Sequence, residues 1–257
     1  MKCWHVDAFA EKVFEGNPAA VCVLDGWPED ALLQAVAGEN NLSETAYAVR
    51  DGERWRLRWF TPGGEIDLCG HATLGTAFVL ANFVTPEKTH FVFDTMSGEL
   101  VVERRGDMYE LDFPAYELRG VPVTPEMERA IGRPVKSAWM GRDLVCELES
   151  EEAVRTAEVD QALVRALDGL LLHITAPGAD YDCVTRSFAP KLGVAEDPVC
   201  GSGHCHVAPL WAGKLHKSAL RARQASKRGG TLLCRVEGGR CYLAGGAVLY
   251  STAELNI

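Results

Sequence analysis

Residues 67–73 read D-L-C-G-H-A-T, and residues 197–204 read D-P-V-C-G-S-G-H. Each stretch sets an aspartate, a cysteine and a glycine just ahead of an apolar helix; after the first copy that run is 74–84, LGTAFVLANFV. An echo separated by half the chain marks a duplicated unit. It predicts two similar domains whose helix starts face one cleft.

Working outward from the first copy, strands are expected at 3–9 and 19–24 around a Gly16-Asn17-Pro18 turn. Residues 29–39 carry apolar positions at helical spacing with Pro28 at the start, and 42–49 return to strand composition. The period-two run RWRLRWF at 54–60 is closed by Thr61-Pro62-Gly63-Gly64, and a helix runs from about Gly70 to Asn82. Strands at 89–94, 99–105 and 108–113 complete the unit. The turn-rich segment 114–125, PAYELRGVPVTP, reads as a linker. Around the second copy the same theme gives strands at 136–140, 144–148, 169–174 and 182–188, with a helix at 159–167. Another helix starts near Cys200, and strands follow at 218–223, 231–237 and 240–250.

The chain has 257 residues, 47% of them hydrophobic and 24% charged, enough for a sizeable core without disulfides or metal. A net charge of −10 argues against a nucleic-acid partner, and no apolar stretch is long enough for a membrane span. The acidic run of Glu147, Glu149, Glu151 and Glu152 reads as a solvated face. No basic and apolar leader opens the sequence, and nine cysteines is an odd number, so reduced thiols in the cytoplasm are expected. Cys200, His204, Cys205 and His206 cluster, but their spacing matches no common zinc pattern, and no metal or other cofactor is expected.

The exposed N–H groups of a helix start hold anions, and glycines let a ligand approach the backbone. Gly70 with His71, and Gly201, Ser202 and Gly203, are therefore candidate cradles for a carboxylate and for enolate-like charge beside it. The glycines serve equally well as turn formers. Glu44, in the uncharged stretch N-L-S-E-T-A, is a candidate partly buried base for chemistry on a C–H bond; facing water or capping a turn is the plainer reading. His71 and Asp197 flank the cradles and can hold or relay protons. Cys69 and Cys200 occupy matching places, where a helix start is expected to lower a thiol pKa, so the pair could act as a two-base racemase. Two small buried thiols would look the same in sequence.

These residues carry a resemblance. V-D-A-F-A-E-K-V-F-E-G-N-P-A-A-V, N-L-S-E-T-A, L-R-W-F-T-P, E-I-D-L-C-G-H-A-T, G-R-D-L at 141–144 and S-F-A-P-K-L-G-V-A-E-D-P-V-C-G-S-G-H are similar to signatures of the phenazine-biosynthesis-like (PhzF-type) family, within the diaminopimelate epimerase superfamily. The resemblance implies an α+β fold of two pseudo-symmetric domains, 1–113 with 246–257 and 114–245. Each would be a curved mixed sheet or barrel around a central helix, with the active site between them and a homodimer as the common assembly. It implies a cofactor-independent isomerase that moves a proton on a small carboxylate. Glu44 would be its general acid and base, His71 and Asp197 would orient substrate and relay protons, and Ser43 would position the base. Gly70, Gly201, Ser202 and Gly203 would bind the carboxylate. The Cys69 and Cys200 pair is a feature of the epimerase branch, so an amino- or imino-acid racemase or epimerase remains the alternative. A catalytically idle small-molecule binder is a third.

Overall fold

A computed structural model describes the chain from Met1 to Ile257. It gathers into two compact units, Met1–Asp112 with Ala244–Ile257, and Phe113–Leu243. In the first unit the order is β1 (Lys2–Ala8), β2 (Asn17–Leu24), α1 (Asp30–Asn40), β3 (Glu44–Asp51), β4 (Arg54–Thr61), β5 (Gly64–Ile66), α2 (Gly70–Val79) running on into a π turn at Leu80–Val84, β6 (His90–Thr95), β7 (Gly98–Arg105) and β8 (Met108–Pro114). In the second it is β9 (Arg119–Val121), α3 (Pro125–Ile131), β10 (Ser137–Met140), β11 (Leu144–Glu147), α4 (Glu151–Arg155), α5 (Gln161–Ala166), β12 (Leu172–Ala176), β13 (Cys183–Ala189), β14 (Val194–Asp197), α6 (Gly201–Leu215), β15 (Ala219–Gln224), β16 (Gly230–Glu237) and β17 (Arg240–Gly245). β18 (Ala247–Glu254) then returns to pair antiparallel with β1.

The pairing scheme is written twice. β1–β2, β3–β4, β4–β5 and β6–β7 are antiparallel, while β2–β3 and β4–β6 are parallel. In the second unit β10–β11, β12–β13, β13–β14 and β15–β16 are antiparallel, while β11–β12 and β13–β15 are parallel. Even the added strand recurs, since β9 lies antiparallel to β10 as β18 does to β1. Parallel neighbours need a crossover. α1 and α2 supply it in one unit, and the α4–α5 pair and α6 in the other.

The crossovers bury different amounts. α2, GHATLGTAFV, has His71 as its one titratable residue and is buried except at Gly70 and Phe78, as expected of a mostly apolar core helix. It packs on β1, β2, β3 and β7, and Gly75 brings it against Val6 and Val21. α6 occupies the equivalent place against β12, β13, β15 and β16. α1 instead covers its sheet through Leu33, Val36 and Ala37, which meet Cys3, Cys22, Tyr47 and Phe60. In the second unit Ile131, Val154 and Val164 of α3, α4 and α5 pack with Cys146, Leu172, Ile174 and Val184. All nine cysteines are free and buried. No helix is long and apolar enough to cross a membrane.

Three sequence expectations are corrected. The segment 114–125 is no bare linker: it holds β9, and its start is anchored. Pro209 inside α6 has no N–H for the carbonyl of Cys205, and that carbonyl accepts the N–H of Tyr116 at 3.0 Å. Glu147 is not solvated; it is buried at 3% exposure, where it accepts from Ser137 at 2.6 Å and pairs with Lys214. The expected strand at 240–250 is two strands broken at Gly246, and Gly245 at the end of β17 packs where a Cβ would lie 2.3 Å from the Phe9 ring.

Candidate active site

Glu44 opens β3, and Cys69 stands at the N-cap of α2 with Gly70 and His71 in the first turn. His71 Nε2 lies 2.9 Å from Glu44 Oε2, and its Nδ1 lies 3.6 Å from Cys69 Sγ. The two side chains keep 9% and 15% exposure. The close approach of Glu44 and His71 is electrostatic: the alignment falls outside hydrogen-bond geometry, and both atoms are buried with no other partner. Burial pulls the His71 pKa down, but the neighbouring Cys69 and Glu44 outweigh it, so the imidazole titrates well above its ordinary range. Glu44, Cys69 and His71 also cluster tightly enough to offer ligand atoms to a cation. The imidazole turns Nδ1 to Cys69 and Nε2 to Glu44, so no single ring nitrogen faces both neighbours. Ser43 directly precedes Glu44 and is half-buried.

The second cradle is built differently. Asp197 ends β14, and its Oδ1 accepts the Val199 N–H at 3.2 Å. Cys200 is the N-cap of α6, its sulfur accepting the Gly203 N–H at 3.3 Å. Ser202 Oγ accepts from Arg142 Nη2 at 3.0 Å. Gly203 has a packing reason to be glycine, since a Cβ there would come within 2.7 Å of the His173 ring. Beneath this first turn Arg142 grips Asp143 through Nε at 3.0 Å and Nη2 at 2.7 Å, and stacks on Tyr116 at 5.2 Å. His173 donates from Nε2 to Asp143 at 3.1 Å and meets Ser187 Oγ through Nδ1 at 3.0 Å. His206 lies stacked on Tyr116 at 4.0 Å between ring centres; it gives its Nδ1 hydrogen to the Ser202 carbonyl at 2.8 Å, and its Nε2 accepts the Asp143 N–H at 3.3 Å. That arrangement requires neutral imidazole, which agrees with burial lowering the His206 pKa to about 4. Burial alone would raise the Asp143 pKa, but His173 and Arg142 overcome it and hold the carboxyl far below its usual range.

Comparison with known proteins fits this duplicated frame. The sequence model described as phenazine biosynthesis-like protein matches residues 6–253. The chain belongs to that family. A Pseudomonas aeruginosa relative named as an uncharacterized isomerase is 47% identical over 254 residues, covering 98% of this chain and 97% of its own. A solved PhzF-family structure from Enterococcus faecalis superposes with a TM-score of 0.98 at 46% identity, covering 100% of this chain and 99% of its own. A hydroxyproline epimerase from Agrobacterium vitis superposes with a TM-score of 0.61 at 12% identity over 98% of this chain and 91% of its own, a likeness of fold alone. The α+β, diaminopimelate epimerase-like architecture of this phenazine biosynthesis-like chain is thereby shown.

For this family member, one electrostatic expectation is overturned. Cys69 and Cys200 do stand at helix N-caps, yet neither thiol pKa is lowered. Burial raises the Cys69 pKa, with Glu44 adding to it, and burial raises that of Cys200 well above normal, with Asp197 adding to it. Desolvation exceeds the pull of the helix start. The Cys200, His204, Cys205 and His206 cluster also does not converge, because both imidazoles bond back to the carbonyls four residues earlier, His204 to Cys200 and His206 to Ser202. Asp143, His173 and His206 come closer together, but the Arg142 guanidinium already occupies the carboxylate and every ring nitrogen of the two histidines has a partner. Sequence reading marked G-R-D-L only as a resemblance and missed what Arg142, Asp143, His173 and Tyr116 form. The buried-polar signal lay in His173 within an apolar strand, LLHITA, where a histidine needs partners.

Proposed function

We propose that this chain is an isomerase that moves a proton on carbon of a small carboxylate, with Glu44 as general acid and base. The observation that carries the reading is the buried Glu44–His71 contact, a carboxylate held beside an imidazole of raised pKa with an oxygen that no hydrogen bond occupies. The isomerase name of the Pseudomonas aeruginosa relative supports the reaction class.

In this reading Glu44 takes a proton from carbon and becomes a carboxylic acid. The electron pair moves along the unsaturated substrate, and Glu44 returns the proton at a second carbon, so that nothing is gained or lost. His71, 2.9 Å from Glu44, holds or relays a proton beside it. The Gly70 N–H at the start of α2 can meet developing enolate-like charge, and the start of α6, with Gly201, Ser202 and Gly203, can receive a carboxylate. Asp197 orients substrate, and Ser43 positions Glu44. General acid–base catalysis of this kind contributes about 10²–10⁴ in rate. Chemistry based on Cys69 and Cys200 has less support, since burial raises both thiol pKa values.

The test is deuterium wash-in at carbon, followed by NMR, over amino acids, hydroxyproline-like ring acids and dihydroaromatic acids. Exchange into at least one acid by the wild type, lost by about 10²-fold or more in Glu44→Gln, is the expected result. Exchange that survives Glu44→Gln would sink the assignment.

A further inference from the structure

The unit Phe113–Leu243 contains a polar cluster that the proposed reaction does not use, centred on Arg142. Its guanidinium is held on three sides. Asp143 grips it with both oxygens, the Tyr116 ring lies against its face, and Nη2 reaches Ser202 Oγ in the first turn of α6. Each holder is itself fixed. Asp143 is anchored by His173 and by the Leu171 N–H at 3.3 Å. Tyr116 is anchored through the Cys205 carbonyl that Pro209 leaves vacant. His206 ties the Ser202 carbonyl to the backbone of Asp143.

An arginine can only donate, so the Ser202 hydroxyl must accept from it. A hydroxyl has one hydrogen, and the bond from Arg142 turns that hydrogen away from the guanidinium. The other nearby group is the Cys200 sulfur at 3.5 Å, a weak acceptor. The hydroxyl hydrogen is thus left for an incoming acceptor at the helix start, where the backbone N–H groups also point.

We propose that Arg142 is a positioning residue that fixes the polarity of Ser202, making its hydroxyl a committed donor to one carboxylate oxygen of the substrate. The inference rests on the reading that the start of α6 receives a carboxylate. It specifies the ligand further: the group at Ser202 is a hydrogen-bond acceptor, and an ammonium group, which can only donate, is selected against. Arg142 acts through Ser202 and not by charge alone, which makes the effects of the two residues non-additive.

The experiment is a titration of the ¹⁵N-labelled full chain with sodium acetate and sodium benzoate against sodium chloride at matched ionic strength, reading the Gly201, Ser202 and Gly203 amide resonances. The wild type is expected to show saturable carboxylate shifts at these amides. Arg142→Met and Ser202→Ala should each weaken binding by about 10-fold, the size of one hydrogen bond to a charged group. The double variant should be no weaker than Arg142→Met alone. Arg142→Lys, which keeps a donor and guards against a loss of fold, should recover part of the affinity. Losses that multiply toward about 100-fold in the double variant would overturn the inference, because charge acting alone would be additive. Undiminished binding in Arg142→Met would overturn it too. Both results leave the carboxylate reading standing. Wild-type amides that respond to carboxylates no more than to chloride would remove that reading and the inference with it.

Discussion

The starts of α2 and α6 occupy the same place in two copies of one strand pattern, yet they treat polar groups in opposite ways. At α2 the Cys69 side chain caps nothing, and Glu44 and His71 face each other with a buried oxygen and nitrogen left outside any hydrogen bond. At α6 the Cys200 sulfur caps Gly203, Ser202 accepts from Arg142, and Arg142, Asp143, His173 and His206 satisfy one another, while His204 Nε2 stays buried outside any hydrogen bond. Unsatisfied buried groups are costly, and a functional site is one reason a fold retains them. A satisfied network rigidifies what it holds. Duplication supplied two similar frames; one carries the buried Glu44–His71 contact and the other a braced helix start.

The largest stability effect that would break this contrast belongs to the brace. Asp143→Ala leaves Arg142 and His173 without their shared carboxylate, and by analogy with broken buried ion pairs it should cost about 3–5 kcal/mol by denaturant unfolding. Glu44→Gln, which touches only the Glu44–His71 contact, should cost less. If the two costs came out equal, the contrast between the helix starts would fail. Gly203→Ala comes next. It forces a methyl group to within 2.7 Å of His173, and overpacking of that kind costs about 1–3 kcal/mol. Gly201→Ala meets only Leu243 at 3.8 Å and should be nearly neutral on that contact.

How far these contrasts were legible in sequence depends on which residues carry them. The repeat at 67–73 and 197–204 exposed the duplication because glycine, cysteine and aspartate have distinctive local roles at helix starts. α2 was readable because it is mostly apolar. α3 was overlooked although Thr124, Pro125 and Gly132 supply its N-cap, first-turn proline and left-handed C-cap. The turn residues of the preceding segment obscured those signals. The brace was illegible for another reason. Arg142, His173 and His206 lie on different elements, and only the pairing of β11 with β12 and the crossing of α6 bring them together. The Cys69 and Cys200 pKa values were misjudged because helix position is local and visible in sequence, whereas burial is not.

The smallest expected effect sharpens the account of α2. The folded pKa of His71 exceeds its unfolded value near 6.5, so protonation favours the fold. Its contribution is complete below about pH 6.5 and is lost as pH rises through the higher folded value. Asp143 has the opposite sign. Its folded pKa is depressed, so its contribution is present above about pH 4 and fades as pH falls toward the folded value. Denaturation midpoints measured against pH in wild type and His71→Gln should diverge on the acid side of the His71 transition and converge on the alkaline side. Parallel curves across that range would mean that His71 does not sense Glu44.

The central claim is that Glu44, and not the cysteine pair, moves the proton. The direct measurement is the deuterium wash-in rate on one exchanging carboxylate for Glu44→Gln beside the double variant Cys69→Ser with Cys200→Ser. The account predicts that Glu44→Gln loses about 10²-fold or more while the double cysteine variant stays within about 10-fold of wild type. Exchange that persists in Glu44→Gln and vanishes with the cysteines would contradict it.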